Sequence, residues 1–256
     1  MKVTCLQMST PYRQPEVNYA HAEEWIAKAM EEKPDVVVLP ETWNTGFYIK
    51  DGMQQYCDQG LEQVKARFGA LAAKYEVNIV AGSISNIRDG KIYNTATVYD
   101  RTGKCIASYD KTHLFTPMGE DKYYTPGNAL CTFTLDGIPC GLVICYDIRF
   151  PELVRSLTVP GLDMLFMVCQ WPKVRTHHLR TLTTARAIEN QMFLVCCNAC
   201  TPYGGNSAVI DPWGETLALA GEEETSITAE CNMQILTEIR GSIPVFRDRR
   251  PEVYKL

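Results

Sequence analysis

IPCGLVICYDIRFPE, residues 138–152, decides the interpretation of this chain. Within it, Gly141–Ile144 is an unbroken apolar run, typical of a strand that is buried on both faces. Residues 149–152 then open a helix. Cys145 lies between the two, where main-chain N–H groups converge, and such a position favours thiol ionisation and stabilises an oxyanion. The stretch therefore predicts an α/β fold in which Cys145 is a nucleophile.

The composition excludes several classes of protein. The chain has 256 residues, a formal net charge of −5 and no basic run, which argues against nucleic-acid binding. No apolar run approaches the ~18–20 residues that cross a bilayer, so we expect no membrane association. The N-terminus lacks the pattern of a signal peptide. Eleven cysteines, mostly within apolar runs, indicate reduced thiols and a cytoplasmic location.

The predicted elements alternate at first and then become a series of strands. No linker, repeat or low-complexity segment interrupts residues 1–256, so we expect a single domain. A long irregular stretch, residues 110–128, is typical of a functional loop. Strands are predicted at residues 2–8, 35–40, 77–85, 91–99, 105–109, 130–135, 141–144, 163–169, 192–197, 208–210, 216–220 and 226–230, and helices at 16–32, 61–75, from 149, at 175–190 and at 232–239.

Three predicted strands end in reactive side chains. Glu41 follows one strand, Lys111 follows another, and Cys145 follows a third. Ligand sites of open α/β sheets lie beyond the carboxyl ends of the strands. If these ends lie side by side, the set can perform acyl transfer: the thiol attacks a carbonyl carbon, the carboxylate accepts the proton, and the ammonium and an N–H stabilise the oxyanion. Alternatively, Cys145 is one more core cysteine, and Lys111 is an ordinary surface lysine.

Other motifs give weaker signals. Cys197 and Cys200 form a C-x-x-C pair, but no second pair accompanies it, so core packing is favoured over a metal site. His177 and His178 are adjacent on a helix and diverge by about 100°, so they do not form a chelating pair. A Cys–His dyad would require His113 or His178 to reach the catalytic thiol, and His113 is the main chemical alternative to the carboxylate.

Three segments, VVLPETW around Glu41, YDKTHLF around Lys111 and GLVICYDIRFPEL around Cys145, resemble the signature segments of the nitrilase superfamily of carbon–nitrogen hydrolases. The resemblance extends over about residues 1–230. It implies a four-layer α-β-β-α sandwich that pairs into homodimers, with no metal or organic cofactor. It also implies a Glu–Lys–Cys triad at Glu41, Lys111 and Cys145, with Glu120 as a second glutamate that positions the lysine or the base.

The chain length, Trp171-Pro172 and the segment TARAIENQ resemble the omega-amidase branch, which hydrolyses the terminal amide of small 2-oxo dicarboxylate monoamides such as 2-oxoglutaramate. Alternatives are an N-carbamoyl amino-acid amidohydrolase, a true nitrilase and a catalytically idle interaction module. The scheme requires a thiolate poised by Lys111 and the helix start. The candidate pocket residues are Phe115, Met118, Tyr146, Trp171 and His178, and the candidate partners of a substrate carboxylate are Arg149, Lys173, Arg175 and His178.

Overall fold

The structure is a computed structural model that describes residues 1–46, 52–200 and 202–254. Its strands are β1 (Lys2–Gln7), β2 (Val36–Val38), β3 (Asp58–Gln59), β4 (Asn78–Arg88), β5 (Lys91–Tyr99), β6 (Cys105–Asp110), β7 (Thr132–Leu135), β8 (Ile138–Ile144), β9 (Met164–Cys169), β10 (Phe193–Asn198), β11 (Ala208–Ile210), β12 (Thr216–Leu219) and β13 (Thr225–Glu230). Its α-helices are α1 (Pro15–Ala29), α2 (Glu62–Tyr75), α3 (Pro151–Thr158), α4 (Thr176–Asn190) and α5 (Gln234–Ser242). The predicted first helix ends three residues early, because Met30–Glu32 form a 3₁₀ turn.

The strands form two sheets. The first has the order β13-β1-β2-β4-β5-β6, and the short β3 pairs with β4. The second has the order β12-β11-β10-β9-β8-β7. In each sheet the central strands run parallel, β1-β2-β4 in one and β8-β9-β10 in the other, and the flanking strands are antiparallel. Strands β2, β9 and β10 are buried throughout, as their unbroken apolar runs predict.

Strand β2 shows how the layers arise. Successive side chains of a strand point to opposite faces. Val36 and Val38 therefore join the core between the two sheets, whereas Val37 packs in a second core with Phe68 of α2 and Ile26 of α1. Helices α3 and α4 cover the outer face of the second sheet. The order of layers is helix, sheet, sheet, helix, and this arrangement confirms the predicted α-β-β-α sandwich.

Two expectations about the whole chain can be compared with the described residues. None of their helices combines the length and apolarity needed to span a bilayer. All eleven cysteines lie within the described ranges, and each is a free thiol. In the stretch predicted to be irregular, residues 110–128, Asp110 is the last residue of β6, and the other regular structure consists of two short 3₁₀ turns, Thr116–Met118 and Glu120–Lys122.

Candidate active site

Cys145 lies on a strained turn between β8 and α3. A 3₁₀ turn, Cys145–Arg149, separates the strand from the helix, which begins at Pro151. The backbone of Cys145 has φ +50°, in the left-handed region that is costly for a residue with a side chain. Such strain costs on the order of 1–3 kcal/mol and persists only where the surroundings enforce it. The turn directs the sulfur into a pocket, and the residue as a whole is 9% exposed.

Glu41 is held by contacts from both sheets. It follows β2 and is completely buried. The main-chain N–H of Gln170, from the second sheet, donates to Glu41 Oε2 at 2.8 Å, and Asn94 Nδ2 of β5 donates to Oε1 at 2.9 Å. An irregularity in β4 makes room for this segment: Gly82 has φ +62°, and an added Cβ would lie 2.0 Å from the Pro40 carbonyl oxygen. The carboxylate is therefore fixed and shielded from water.

Lys111 follows β6 and lies between two carboxylates. Its Nζ is 2.9 Å from Glu41 Oε1, and 3.0 and 2.9 Å from the two carboxylate oxygens of Glu120. All three side chains are buried. Burial alone would lower the pKa of Lys111, but the carboxylates of Glu41 and Glu120 outweigh it and raise that pKa well above its ordinary value. The ammonium is therefore a permanent buried cation that is held between two acidic side chains.

The expectation of a thiolate at Cys145 is wrong. Burial is the largest cause that raises the pKa of Cys145 well above its ordinary value, and the Glu41 carboxylate is the second. Lys111 lowers that pKa and only partly opposes them. The strand-to-helix position suggested the reverse, because the sequence does not reveal how completely water is removed from the sulfur or that a carboxylate lies beside it. At neutral pH the group is a thiol, and it needs a base when it attacks.

The pocket contains most of the predicted residues. Phe115, Met118, Tyr146 and Trp171 line it together with Cys145 and Lys111. Its remaining walls come from Arg149, Gln170, Pro172, Arg175 and Tyr203. The prediction that His178 lines the pocket is wrong. Its Nδ1 accepts a hydrogen bond from Arg149 Nη2 at 3.3 Å, so the imidazole lies behind that guanidinium.

Two cations face this pocket without a carboxylate partner among the described residues. The guanidinium of Arg149 lies 4.6 Å from the Trp171 ring, and that of Arg175 lies 5.3 Å from the Phe115 ring. Within the described ranges no Asp or Glu forms an ion pair with either arginine, so Arg149 does not serve as a structural partner of a neighbouring acid. Lys173, in contrast, pairs with Glu222 on the surface.

His113 is engaged elsewhere. Its Nδ1 is 2.9 Å from Asp147 Oδ1, and its ring stacks on Phe150 with centroids 3.6 Å apart. In the part of the chain that the structure describes, no hydrogen bond joins this imidazole to Cys145. The carboxylate beside the Cys145 thiol is therefore that of Glu41, whereas the His113 imidazole pairs with Asp147.

Sequence reasoning did not find Asn94, Gln170 or Tyr203. Asn94 Nδ2 bridges the two glutamates, 2.9 Å from Glu41 and 3.4 Å from Glu120. Gln170 immediately follows β9, so the rule that led to Glu41 and Cys145, a polar residue at a strand end, would have found it. Asn94 lies inside β5, which also contains Lys91, Thr95 and Thr97, so its polar side chain gave no distinct signal. Nothing in the sequence around Tyr203 indicated a pocket residue.

Known proteins resemble this chain along most of its length. The family model described as carbon-nitrogen hydrolase matches residues 2–241. The chain is 40% identical to the 2-oxoglutaramate amidase of Bacillus subtilis over 98% of each chain. It is 31% identical to the omega-amidase NIT2 of Homo sapiens, over 93% of this chain and 91% of that protein. The crystal structure of Saccharomyces cerevisiae Nit3, described as a member of branch 10 of the nitrilase superfamily, superposes with a TM-score of 0.90 at 29% identity and covers 98% of this chain and 96% of that one.

Proposed function

Because the chain belongs to the carbon–nitrogen hydrolase family, we propose that it is a cysteine amidase of the omega-amidase type. Its substrate is the terminal amide of a small 2-oxo dicarboxylate monoamide such as 2-oxoglutaramate, and its products are a carboxylate and ammonia. The observation that carries the proposal is the buried arrangement of Glu41, Lys111 and Cys145 at a pocket with two arginines that form no ion pair with any described Asp or Glu. The names of the relatives support the choice of substrate.

Acylation begins with a neutral thiol. As the sulfur of Cys145 attacks the amide carbon, Glu41 accepts the thiol proton, so no free thiolate accumulates beside the carboxylate. The Lys111 ammonium and the main-chain N–H of Tyr146 stabilise the oxyanion of the tetrahedral intermediate; removing one donor of this kind typically lowers the rate about 10²–10³-fold. Glu41 then returns the proton to the leaving nitrogen. The C–N bond breaks, ammonia departs, and a thioester to Cys145 remains.

Deacylation uses the same groups. Glu41 removes a proton from a water molecule, the resulting hydroxide attacks the thioester carbon, and Lys111 again stabilises the oxyanion. The C–S bond breaks, Cys145 regains its proton from Glu41, and the carboxylate product leaves. One base acts in both halves, and general-base catalysis typically contributes about 10²–10⁴ in rate to each step. Glu120 keeps Lys111 in position, since its two oxygens accept from Nζ.

Arg149 and Arg175 give the pocket its preference for an anion. A guanidinium that faces a pocket without an acidic partner matches the fork of a carboxylate. Each is stacked on an aromatic ring, which restricts its motion and lowers the entropy lost on binding. The aromatic walls accommodate the short carbon chain between the carboxylate and the amide.

A matched pair of substrates tests this assignment. Ammonia release is measured with 2-oxoglutaramate and with a neutral aliphatic amide of the same chain length, for the wild type and for Arg149→Met and Arg175→Met. A hydrogen bond between charged groups contributes roughly 1.5–3 kcal/mol, so we expect KM for 2-oxoglutaramate to rise about 10–150-fold in at least one variant. KM for the neutral amide should stay nearly constant. Equal effects on both substrates would contradict carboxylate recognition.

Trapping tests the nucleophile. Brief exposure of Glu41→Gln to substrate, followed by intact-mass and peptide analysis, should reveal an acyl adduct on Cys145. An adduct on another of the eleven cysteines, or full activity in Cys145→Ala, would refute the assignment. Release of carbon dioxide with ammonia from N-carbamoyl amino acids would instead indicate an N-carbamoyl amidohydrolase, and turnover of nitriles would indicate a nitrilase. Retention of biological output in Cys145→Ala would indicate an interaction module.

The Cys–His alternative predicts a different pattern. If His113 were the base, His113→Asn would abolish activity as completely as Cys145→Ala, and Lys111→Ala would matter less. The proposed triad predicts the reverse order, with at most a modest loss in His113→Asn. Measuring kcat for the three variants with one substrate separates the two schemes.

We further propose that the protein works as a homodimer in the cytoplasm, as a single domain and without a metal or organic cofactor. The family resemblance implies the pairing, the one-domain architecture and the cofactor-free chemistry. The free thiols support the cytoplasmic location. Light scattering of the purified protein should give twice the mass of one chain, and dialysis against a chelator should leave the activity unchanged. A monomeric mass at micromolar concentration would contradict the dimer.

A further inference from the structure

Asp147 is a completely buried carboxylate that lies two residues after the candidate nucleophile. Four donors surround it. Its Oδ2 accepts the main-chain N–H of Ile144 at 3.0 Å and the hydroxyl of Tyr109 at 2.8 Å. Its Oδ1 accepts the main-chain N–H of His113 at 2.8 Å, and His113 Nδ1 lies 2.9 Å from the same oxygen. A carboxylate this well supplied with donors is held rigidly, because each lost contact would leave a charged atom buried and unsatisfied.

The positions of those donors along the chain are informative. Ile144 immediately precedes Cys145, and it belongs to the second sheet. Tyr109 and His113 lie two residues before and two residues after Lys111, on the segment that leaves the first sheet. The Asp147 carboxylate therefore joins the turn that carries the thiol to the segment that carries the ammonium, across the boundary between the sheets.

Such a link is needed because apolar packing between sheets is not directional. The core between the two sheets brings them together, yet it does not by itself set the position of one strand end against another to a fraction of an ångström. Hydrogen bonds with defined lengths and angles do. Cys145 also has an unfavourable φ of +50°, and the bond from Ile144 to Asp147 fixes the residue just before it.

We infer that Asp147 is a positioning residue for the proposed amide hydrolysis, and that its hydrogen bonds to Ile144, Tyr109 and His113 set the relative placement of the Cys145 sulfur and the Lys111 ammonium. This inference rests on the proposed function and adds a residue to it. Asp147 is completely buried and absent from the pocket wall, so it acts through other residues. Its role is to keep the oxyanion donor at the correct distance from the carbon that the sulfur attacks.

Asp147→Asn is the sharpest test, since it keeps the size of the side chain. An amide nitrogen only donates, so one of the two main-chain N–H groups, of Ile144 or of His113, loses its acceptor in either orientation of the amide. Misplacement of reacting groups by about 1 Å can cost about 10² in rate. We therefore expect kcat to fall about 10–10²-fold while KM stays nearly unchanged, because the pocket itself is intact.

Asp58 provides a matched control. It is also buried, and it also accepts from one tyrosine hydroxyl and two main-chain N–H groups: Tyr19 at 3.0 Å, Gln63 at 3.2 Å and Val64 at 2.9 Å. It lies in β3, its carboxylate accepts from the first turn of α2, and it lines no part of the pocket. Asp58→Asn should lower the melting temperature about as much as Asp147→Asn does, and it should leave kcat per folded molecule unchanged. If the two variants lost kcat equally, the positioning role of Asp147 would be refuted.

A second set of variants covers the case in which Asp147→Asn does not fold. Tyr109→Phe with His113→Ala removes two side-chain donors while both main-chain bonds to Asp147 remain. We expect a smaller fall in kcat than in Asp147→Asn, again without a change in KM; unchanged kcat would contradict the inference. The activity of the wild type separates the two hypotheses. If the wild type hydrolysed no amide, the proposed function would fail. If the wild type were active and Asp147→Asn were equally active, only the role of Asp147 would be refuted.

Discussion

Lys111→Met tests the electrostatics of the buried cluster most directly. The substitution preserves much of the length of the side chain and removes its charge. It deletes three contacts of 2.9, 3.0 and 2.9 Å to two carboxylates that have no access to water. Breaking a buried ion pair by removing one partner typically costs about 3–5 kcal/mol, because the remaining charge is left uncompensated. For a chain of this size that corresponds to a fall in melting temperature of roughly 6–20 °C.

The pH dependence of the Lys111 contribution has a definite sign. A cation whose pKa is higher in the folded chain than in the unfolded chain contributes its full stabilisation below the unfolded value and loses it as pH rises through the folded value. Because the pKa of Lys111 is raised well above its ordinary value, this contribution is lost only far above neutrality. The stability that Lys111 contributes should therefore be the same at about pH 6 and at about pH 8.

Thermal or urea unfolding of both proteins at the two pH values measures the difference. The double variant Lys111→Met/Glu120→Gln is the control, since it removes one of the two like charges and should regain part of the lost stability. A loss of less than about 1 kcal/mol at both pH values would show that the cluster is not a buried network of charges and would refute the reasoning.

Two further predictions concern the groups around this cluster. Glu41→Gln should lower kcat by about 10²–10⁴. It should also make the thiol more acidic, because the carboxylate that raises the pKa of Cys145 is gone while Lys111 remains. The pH midpoint of alkylation by iodoacetamide should therefore shift downward, and an upward shift would contradict this account. Gly82→Ala should destabilise the protein and reduce kcat, because its Cβ would meet the Pro40 carbonyl oxygen at 2.0 Å beside Glu41. Gly90→Ala, at a φ of +71° with no atom within 4 Å of the added Cβ, is the matched control and should leave kcat unchanged.

Much of the fold follows from local patterns in the sequence. The run Val36–Val38 is apolar at every position, and only a strand covered on both faces buries such a run, so a sheet between two layers was predictable. Reactive side chains at strand ends were also readable, because a strand that is buried along its length projects its next residue beyond the edge of the sheet. For that reason Glu41 and Cys145 could be singled out; Lys111 also follows a strand, but β6 is only partly buried.

The tertiary structure decided the protonation and the partners. The same Cys145 would be a reactive thiolate beside water and a lysine, but it is a thiol beside a buried carboxylate, and the pKa depends on desolvation and on charges that lie far away in the sequence. Likewise, His178 lies behind Arg149 instead of in the pocket, and Asp147 spans the two sheets to join segments more than thirty residues apart. The sequence by itself determined which groups are available for chemistry; the packing of two sheets determined how far apart they lie, which of them are charged and what holds them, because distance and dielectric are properties of the folded chain alone.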